Sequence, residues 1–213
     1  YLGWPTAMNL SKKDNRICVL DNFSKRRIEV EEGVSPLWPI PTLMERVKIW
    51  KEISGIEIKL YSGDLLNEKL IYQILDIEKP DTIIHYGEQP SAPYSMKSLS
   101  NASFTQHNNV IGNLNLLFAI KSKCPNTHLV KLGTMGEYGQ PNIDIEEGFI
   151  EINHNGRSDK FLYPKNPGSF YHLSKVHDTN NIYFACKIWG LRSTDLNQGV
   201  VYGIDTDETI NHN

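Results

Sequence analysis

Five short β-rich runs, at residues 16–20, 57–61, 81–86, 128–132 and 192–196, alternate with segments of helical period at 6–12, 43–55, 68–77, 102–122 and 169–189. Strands joined through a helix run parallel, because the helix carries the chain back to the edge it left. A parallel sheet needs helices on both faces. The alternation therefore predicts an α/β, Rossmann-type doubly wound parallel sheet. Leu43, Val47 and Trp50 set the period of one helix, and Val110, Leu114, Leu117 and Phe118 are expected on the core face of another. Pro36, Pro39 and Pro41 break the stretch from Phe23 to Thr42, which reads as an irregular excursion within about 23–55.

At 213 residues the chain is long enough for one core of this kind, so 1–213 is expected to be a single domain. It begins at Tyr1 without Met and reaches Asn213 without a closing element. It is read as a piece truncated at both ends, with the first strand and a C-terminal substrate lobe lying outside it. A net charge of −3 with dispersed basic residues gives no basic face for nucleic acid. No apolar run approaches the roughly 20 residues that span a bilayer. Cys18, Cys124 and Cys186 are odd in number and widely spaced, which fits buried thiols rather than a disulfide framework or a metal site.

Every candidate functional residue falls just after a predicted strand or on the helix that follows, the edge where open parallel sheets bind ligands. Tyr171 and Lys175 stand four apart on one helix face. A neighbouring ammonium favours the phenolate, so this pair is expected to bring the phenol down from its ordinary pKa of about 10 and make it a general base for a hydroxyl. Upstream, the loop Gly133-Thr-Met-Gly-Glu-Tyr-Gly139 offers Thr134 and Glu137.

Cofactor signals are individually weaker. Gly3 opens a helix and suits the last glycine of a phosphate-binding turn. Asp21, with Asn22 beside it, ends the second strand of such a unit, where an acid accepts from ribose hydroxyls and favours NAD over NADP. A loop cap explains Asp21 as well. Lys25 and Arg26 are expected near the adenosine or diphosphate, and Asp64 near the adenine amino group or simply in a turn. His85 to Glu88 would pass beneath the nicotinamide half, although His85 equally fits a core position. Asn108 and Asn109 interrupt an apolar helix, and buried amides need partners.

These residues, together with Gly63-Asp64, the Asn108-Asn-Val-Ile-Gly-Asn-Leu-Asn115 helix and Asn197-Gln-Gly-Val-Val-Tyr-Gly203, resemble extended short-chain dehydrogenase/reductases acting on nucleotide sugars. Longer runs narrow the likeness. Ser91-Ala-Pro-Tyr-Ser-Met96, Thr105-Gln-His-Asn-Asn-Val-Ile-Gly112, Pro141-Asn-Ile-Asp-Ile-Glu-Glu-Gly148 and Phe170-Tyr-His-Leu-Ser-Lys-Val-His-Asp178 are similar to the UDP-sulfoquinovose synthase family, over essentially the whole chain. The resemblance implies an NAD-binding domain and the conversion of UDP-glucose and sulfite to UDP-sulfoquinovose. The implied steps are C4 oxidation, C5–C6 dehydration, sulfite addition and C4 re-reduction. It implies catalytic roles for Thr134, Glu137, Tyr171 and Lys175. It also implies cofactor contacts at Leu65 and Val201, a substrate contact at Gln198, and a homodimer of the full-length protein; His172, adjacent to Tyr171, is a further expected substrate contact, to protonate the leaving C6 hydroxyl or attract sulfite. The implied compartment is cytoplasmic, or the plastid stroma in a photosynthetic eukaryote.

Related 4,6-dehydratases carry Asp-Glu directly after the Thr; here Met135 and Gly136 stand there and the acid is Glu137. A 4,6-dehydratase or a 4-epimerase is the alternative activity on the same sheet. The family often has Arg where this chain has Pro90, which leaves Arg157 or a group outside the chain to meet the anion.

Overall fold

The computed structural model describes residues 2–36, 39–146 and 148–201. The first elements are α1 (Gly3–Ser11), β1 (Ile17–Asp21), α2 (Ser24–Glu31), α3 (Leu43–Ser54), β2 (Ile58–Ser62) and α4 (Glu68–Glu78). They are followed by β3 (Thr82–His85), α5 (Ala92–Ser95), α6 (Leu99–Gln106), a π-helical turn at His107–Ile111 and α7 (Gly112–Lys123). After these come β4 (His128–Leu132), a 3₁₀ turn at Met135–Tyr138, β5 (Phe149–His154), β6 (Arg157–Leu162), α8 (Phe170–Trp189) and β7 (Arg192–Leu196). The described residues fall into two compact units, 2–74 with Val201, and Leu75–Val200, and the boundary falls inside α4.

In the first unit β1 and β2 pair in parallel, from Ile17 opposite Ile58 to Asp21 opposite Ser62. Ala7, Trp50 and Ile58 form the buried centre, with Trp4, Met8, Ile17 and Val19 packed against it. The indole N–H of Trp50 donates to Ser11 Oγ at 3.1 Å, so the polar edge of this large ring is not stranded. A capping box starts α3: Thr42 Oγ1 accepts from the Glu45 N–H, and the Glu45 carboxylate accepts from the Thr42 N–H. The excursion is less irregular than expected. Its prolines begin only at Pro36, so residues 24–31 are free to form α2, braced by Lys25–Glu29 at 3.5 Å and Arg26–Glu29 at 2.5 Å.

In the second unit β3, β4 and β7 form a parallel sheet in that order. The pairings β1–β2 and β3–β4–β7 are those of the two flanks of the doubly wound order 3-2-1-4-5-6, the class read from the alternation. The helix expected at 102–122 exists, but its buried face differs. Asn109, Asn113, Leu116, Leu117 and Ile120 point inward, while Phe118 is 47% exposed and meets Trp189 edge-on at 4.8 Å. Leu117 is buried as expected and Val110 and Leu114 are half-buried; the miss is Phe118, because a pattern of apolar residues passes over the buried Asn109 and Asn113. The antiparallel hairpin of β5 and β6 was also missed. Its signal was the pair Asn155-Gly156, both at positive φ, which is the chemistry of a tight hairpin turn.

Candidate active site

Helix α8 carries the expected base. Ser169 caps it by accepting from the His172 N–H at 3.1 Å, and Gly190 closes it at φ +69°. Its first turn is tied down from three sides. The Tyr171 N–H donates to Ser95 Oγ at 3.0 Å, Gln106 Nε2 donates to the Phe170 carbonyl at 2.6 Å, and Asn109 Nδ2 donates to Ser174 Oγ at 2.9 Å. Asn109 also accepts from the Gln89 N–H at 2.8 Å and donates to the Gln89 carbonyl at 3.1 Å. The loop after β3 is thereby fixed against α8. Asn109 is fully satisfied by protein, and Asn108, the amide assigned to the cofactor from sequence, is buried and donates to Asn109 Oδ1 at 2.9 Å.

Lys175 lies one turn beyond Tyr171, with its Nζ 5.7 Å from the phenol ring centroid. The Nζ donates to the Leu132 carbonyl at 2.7 Å and pairs with the Glu88 carboxylate. Both side chains of that pair are about 5% exposed or less, and His85 Nε2 lies 3.4 Å from the other Glu88 oxygen. Burial disfavours a charged Glu88, but Lys175 first and then Lys131 outweigh it and hold the carboxyl below its usual range. Burial pushes His85 down to about 4, so the ring is neutral at physiological pH. Burial, then the charges of Glu88 and Glu137, push Tyr171 up to about 12 against the opposing pull of Lys131. The acidified phenol expected from the Tyr–Lys spacing is therefore not what this chain presents. The sequence spacing revealed the ammonium but not the carboxylate that offsets it.

The loop after β4 supplies the second group. Thr134 Oγ1 accepts from the Gly136 N–H at 3.1 Å, which leaves the hydroxyl proton to donate elsewhere. Met135 N–H donates to the Gln198 carbonyl at 2.9 Å and joins this loop to the segment after β7. The His172 imidazole covers Gly136 so closely that a Cβ there would lie 2.4 Å from Nε2. Its ring centroid is 5.1 Å from that of Tyr171, so His172 sits between the base and the Thr134 loop. Burial lowers the His172 pKa, with the Glu137 charge opposing.

Glu137 is fully buried rather than a surface acid. Its carboxylate accepts from Lys165 Nζ at 2.9 Å and from Thr179 Oγ1 at 3.0 and 3.2 Å. Thr179 lies one turn past Lys175, and its hydroxyl also sits 2.5 Å from Asp195 Oδ2. Behind this point lie groups that sequence reading missed. Lys131 on β4 is entirely buried, 3.8 Å from Asp195 and 4.0 Å from Asp178. Among the described residues neither Asp178 oxygen has a hydrogen-bond partner, and burial followed by the Glu88 charge raises its pKa well above the carboxylate range. A lysine at the centre of a strand flanked by Leu, Val and Leu was the available signal.

The first turn of α1, from Gly3, has no side-chain cap and no acidic residue; Pro5 in it carries no N–H, and the Thr6 N–H donates to the Leu2 carbonyl at 3.1 Å. Asp21 is exposed at the end of β1, and its Oδ1 accepts from the Phe23 N–H at 2.7 Å. Asn22 Nδ2 donates to Asp64 Oδ2 at 2.8 Å, joining the loops after β1 and β2. Lys25 and Arg26 are exposed on α2 and engaged with Glu29, and Leu65 is half-buried beside Asp64. Arg46 Nε is buried without a hydrogen-bond partner while its guanidinium stands 5.8 Å from the Trp4 ring centroid. In the segment after β7, Gln198 is half-buried and Val201 is 42% exposed. Pro90 and Arg157 are exposed, and Arg157 starts β6 of the hairpin. No helix among the described residues is long and apolar enough to cross a membrane.

The description "NAD dependent epimerase/dehydratase family" matches residues 1–209. The chain is 54% identical over 212 residues to the chloroplastic UDP-sulfoquinovose synthase of Spinacia oleracea, covering 100% of the chain and 44% of that protein. It is 41% identical over 211 residues to the UDP-sulfoquinovose synthase of Sulfolobus acidocaldarius, covering 99% of the chain and 54% of that protein. The chain thus spans about half the length of these relatives. Among solved structures, the UDP-Glc/GlcNAc 4-epimerase of Campylobacter jejuni matches with a TM-score of 0.68 at 20% identity, over 92% of the chain and 50% of that structure. The UDP-glucose 4-epimerase of Brucella ovis in complex with NAD matches with a TM-score of 0.67 at 19% identity, over 92% and 48%. At these identities the structural likeness speaks for the fold.

Proposed function

The chain belongs to the NAD dependent epimerase/dehydratase family, and we propose that the protein it represents converts UDP-glucose and sulfite to UDP-sulfoquinovose and water, using bound NAD that is restored in each cycle. The observation that carries this reading is the 54% identity over 212 residues to a UDP-sulfoquinovose synthase. It is supported by Tyr171 and Lys175 on one face of α8, with the Thr134 hydroxyl on a neighbouring loop whose acid is Glu137.

When bound, NAD would supply the chemistry of hydride transfer at C4. Gly3, Asp21, Asn22, Lys25, Arg26, Asp64 and Leu65 would serve its adenosine and diphosphate. Tyr171 and Lys175 would serve the nicotinamide ribose, with Asn108 and Val201 nearby contacts. Thr134 donates its free hydroxyl proton to the C4 oxygen and orients it, and Tyr171 takes the C4 hydroxyl proton as hydride leaves that carbon. The resulting ketone acidifies the C5 hydrogen, which Glu137 removes as the C6 hydroxyl departs with a proton. Glu137 can do this only once its carboxylate turns away from Lys165 and Thr179, so dehydration is tied to a rearrangement of the 133–139 loop. His172, between Tyr171 and that loop, would protonate the leaving hydroxyl in its imidazolium form, after taking up a proton in the closed site, and Gln198 would hold the sugar. Sulfite adds at C6, C5 regains a proton, and Tyr171 gives its proton back as C4 is reduced. The protein is proposed to act as a homodimer in the plastid stroma, the compartment suggested by the chloroplastic relative.

Full-length protein given UDP-glucose without sulfite should show reduced-cofactor absorbance. Adding sulfite should convert that signal into a sulfonated UDP-sugar. Tyr171→Phe is expected to lose both signals by at least about 100-fold while bound NAD is retained. An epimerised or 4-keto-6-deoxy product formed regardless of sulfite would favour the 4-epimerase or 4,6-dehydratase reading instead.

A further inference from the structure

We propose that Glu88, in the loop after β3, is a positioning residue that holds the Lys175 ammonium against the Leu132 carbonyl and offsets its charge, so that this loop sets how much of that charge reaches Tyr171. The inference rests on the reading of Tyr171 as the C4 base. It goes beyond the Tyr–Lys pair, because it makes that base a three-membered device controlled from outside its own helix.

The geometry carries it. The Glu88 and Lys175 side chains are buried and in contact, and Lys175 has its second bond, 2.7 Å, to a backbone carbonyl on β4. Two opposite charges in contact and out of water interact far more strongly than at a surface. At Tyr171 an ammonium favours the phenolate and a carboxylate opposes it, so the two members of the pair act in opposite senses. The remaining charged or titratable groups facing this cluster are His85 on β3, Lys131 on β4, Glu137 in the 3₁₀ turn, His172 and Asp178 on α8, and Asp195 on β7. His85 is neutral, and its neutrality leaves Glu88 with Lys175 and Lys131 as its cationic partners. The upward displacement of Tyr171, in which the Glu88 charge follows burial as a cause, agrees with this geometry.

The loop is built to keep Glu88 in place. Gln89 is anchored through both backbone groups to Asn109, and its side chain donates to Thr105 Oγ1 at 2.8 Å and to the Ser91 carbonyl at 3.1 Å. The fully buried Asn109, which the apolar helix pattern left unexplained, thus has a purpose two steps from the chemistry. It fixes Gln89, Gln89 fixes Glu88, and Glu88 fixes Lys175.

The test uses full-length protein labelled with ζ-¹³C-tyrosine, with the Tyr171 signal assigned by its loss in Tyr171→Phe. Glu88→Gln should lower the pH at which Tyr171 titrates by roughly one unit or more, and should move the acid limb of UDP-glucose-dependent cofactor reduction the same way. Glu88→Asp, which keeps the charge, should leave both near their original values. Lys175→Met should raise the Tyr171 titration. Combining it with Glu88→Gln removes both partners and leaves no lone buried charge, so the double variant should return the titration towards that of the unsubstituted protein. A Tyr171 signal unmoved by Glu88→Gln, or a double variant that titrates like Lys175→Met alone, overturns the proposal. Should Glu88→Gln not fold, the double and Lys175→Met variants decide by the same comparison. Absence of any UDP-glucose-dependent reduction in the unsubstituted protein would instead count against the functional reading, since the tyrosine signal needs no substrate.

Discussion

At the scale of single residues, Glu137 has the least usual setting for its proposed work. A carboxylate that is to remove a carbon-bound proton must reach the substrate, yet this one is wholly buried, held by Lys165 and Thr179. Its charge is therefore well compensated, and breaking a buried pair by deleting one partner costs about 3–5 kcal/mol. Glu137→Gln keeps the shape and the hydrogen bond from Thr179 while removing the charge. Its expected phenotype is separation of steps: UDP-glucose still reduces the cofactor, within about tenfold of the original rate, whereas solvent deuterium no longer enters C5. Deuterium entering C5 at the original rate in that variant would leave Glu137 a purely structural acid, tying α8 to the loop after β4.

At the scale of elements, the site depends on how closely the 133–139 loop and α8 approach. Gly136 lies beneath the His172 ring, and a methyl group there would stand 2.4 Å from Nε2. Gly136→Ala is expected to swing the imidazole away and to lower turnover by about 10- to 100-fold, chiefly in kcat, because a small misplacement of catalytic groups is costly. A crystal structure of that variant with His172 unmoved and activity intact would contradict this packing role. Elements with strong local signals were legible beforehand. β4 and β7 fall at the residues read from their β-rich runs, and α8 runs one residue shorter at its start. The π-helical turn at His107–Ile111 was not legible, because it answers to Asn109 and its partners 20 and 65 residues away in sequence. The same limit applied to the base. Tyr171 and Lys175 announce themselves by a four-residue spacing, but Glu88 meets Lys175 only through the sheet, and Lys131 and Asp178 become neighbours only on folding. Thr134, by contrast, lies directly after β4 as expected, with its proton free to donate.

At the scale of the whole molecule, the two parallel sheets carry the pairings of a doubly wound fold. The family likeness extends over residues 1–209. Within this family an epimerase, a dehydratase and a sulfonate-forming enzyme share C4 oxidation, so no observation of cofactor reduction alone separates them. They differ in what happens at C5 and C6. An epimerase leaves both untouched, a 4,6-dehydratase moves hydride to C6, and the reaction proposed here opens C5–C6 to an external nucleophile. The deciding measurement is the mass and deuterium content of the product formed by full-length protein from UDP-glucose and ³⁴S-sulfite in D₂O. The account predicts a UDP-sugar that carries one ³⁴S-sulfonate at C6 and one deuterium at C5. A sulfur-free product, or a sulfonated product with its original C5 hydrogen, would contradict it.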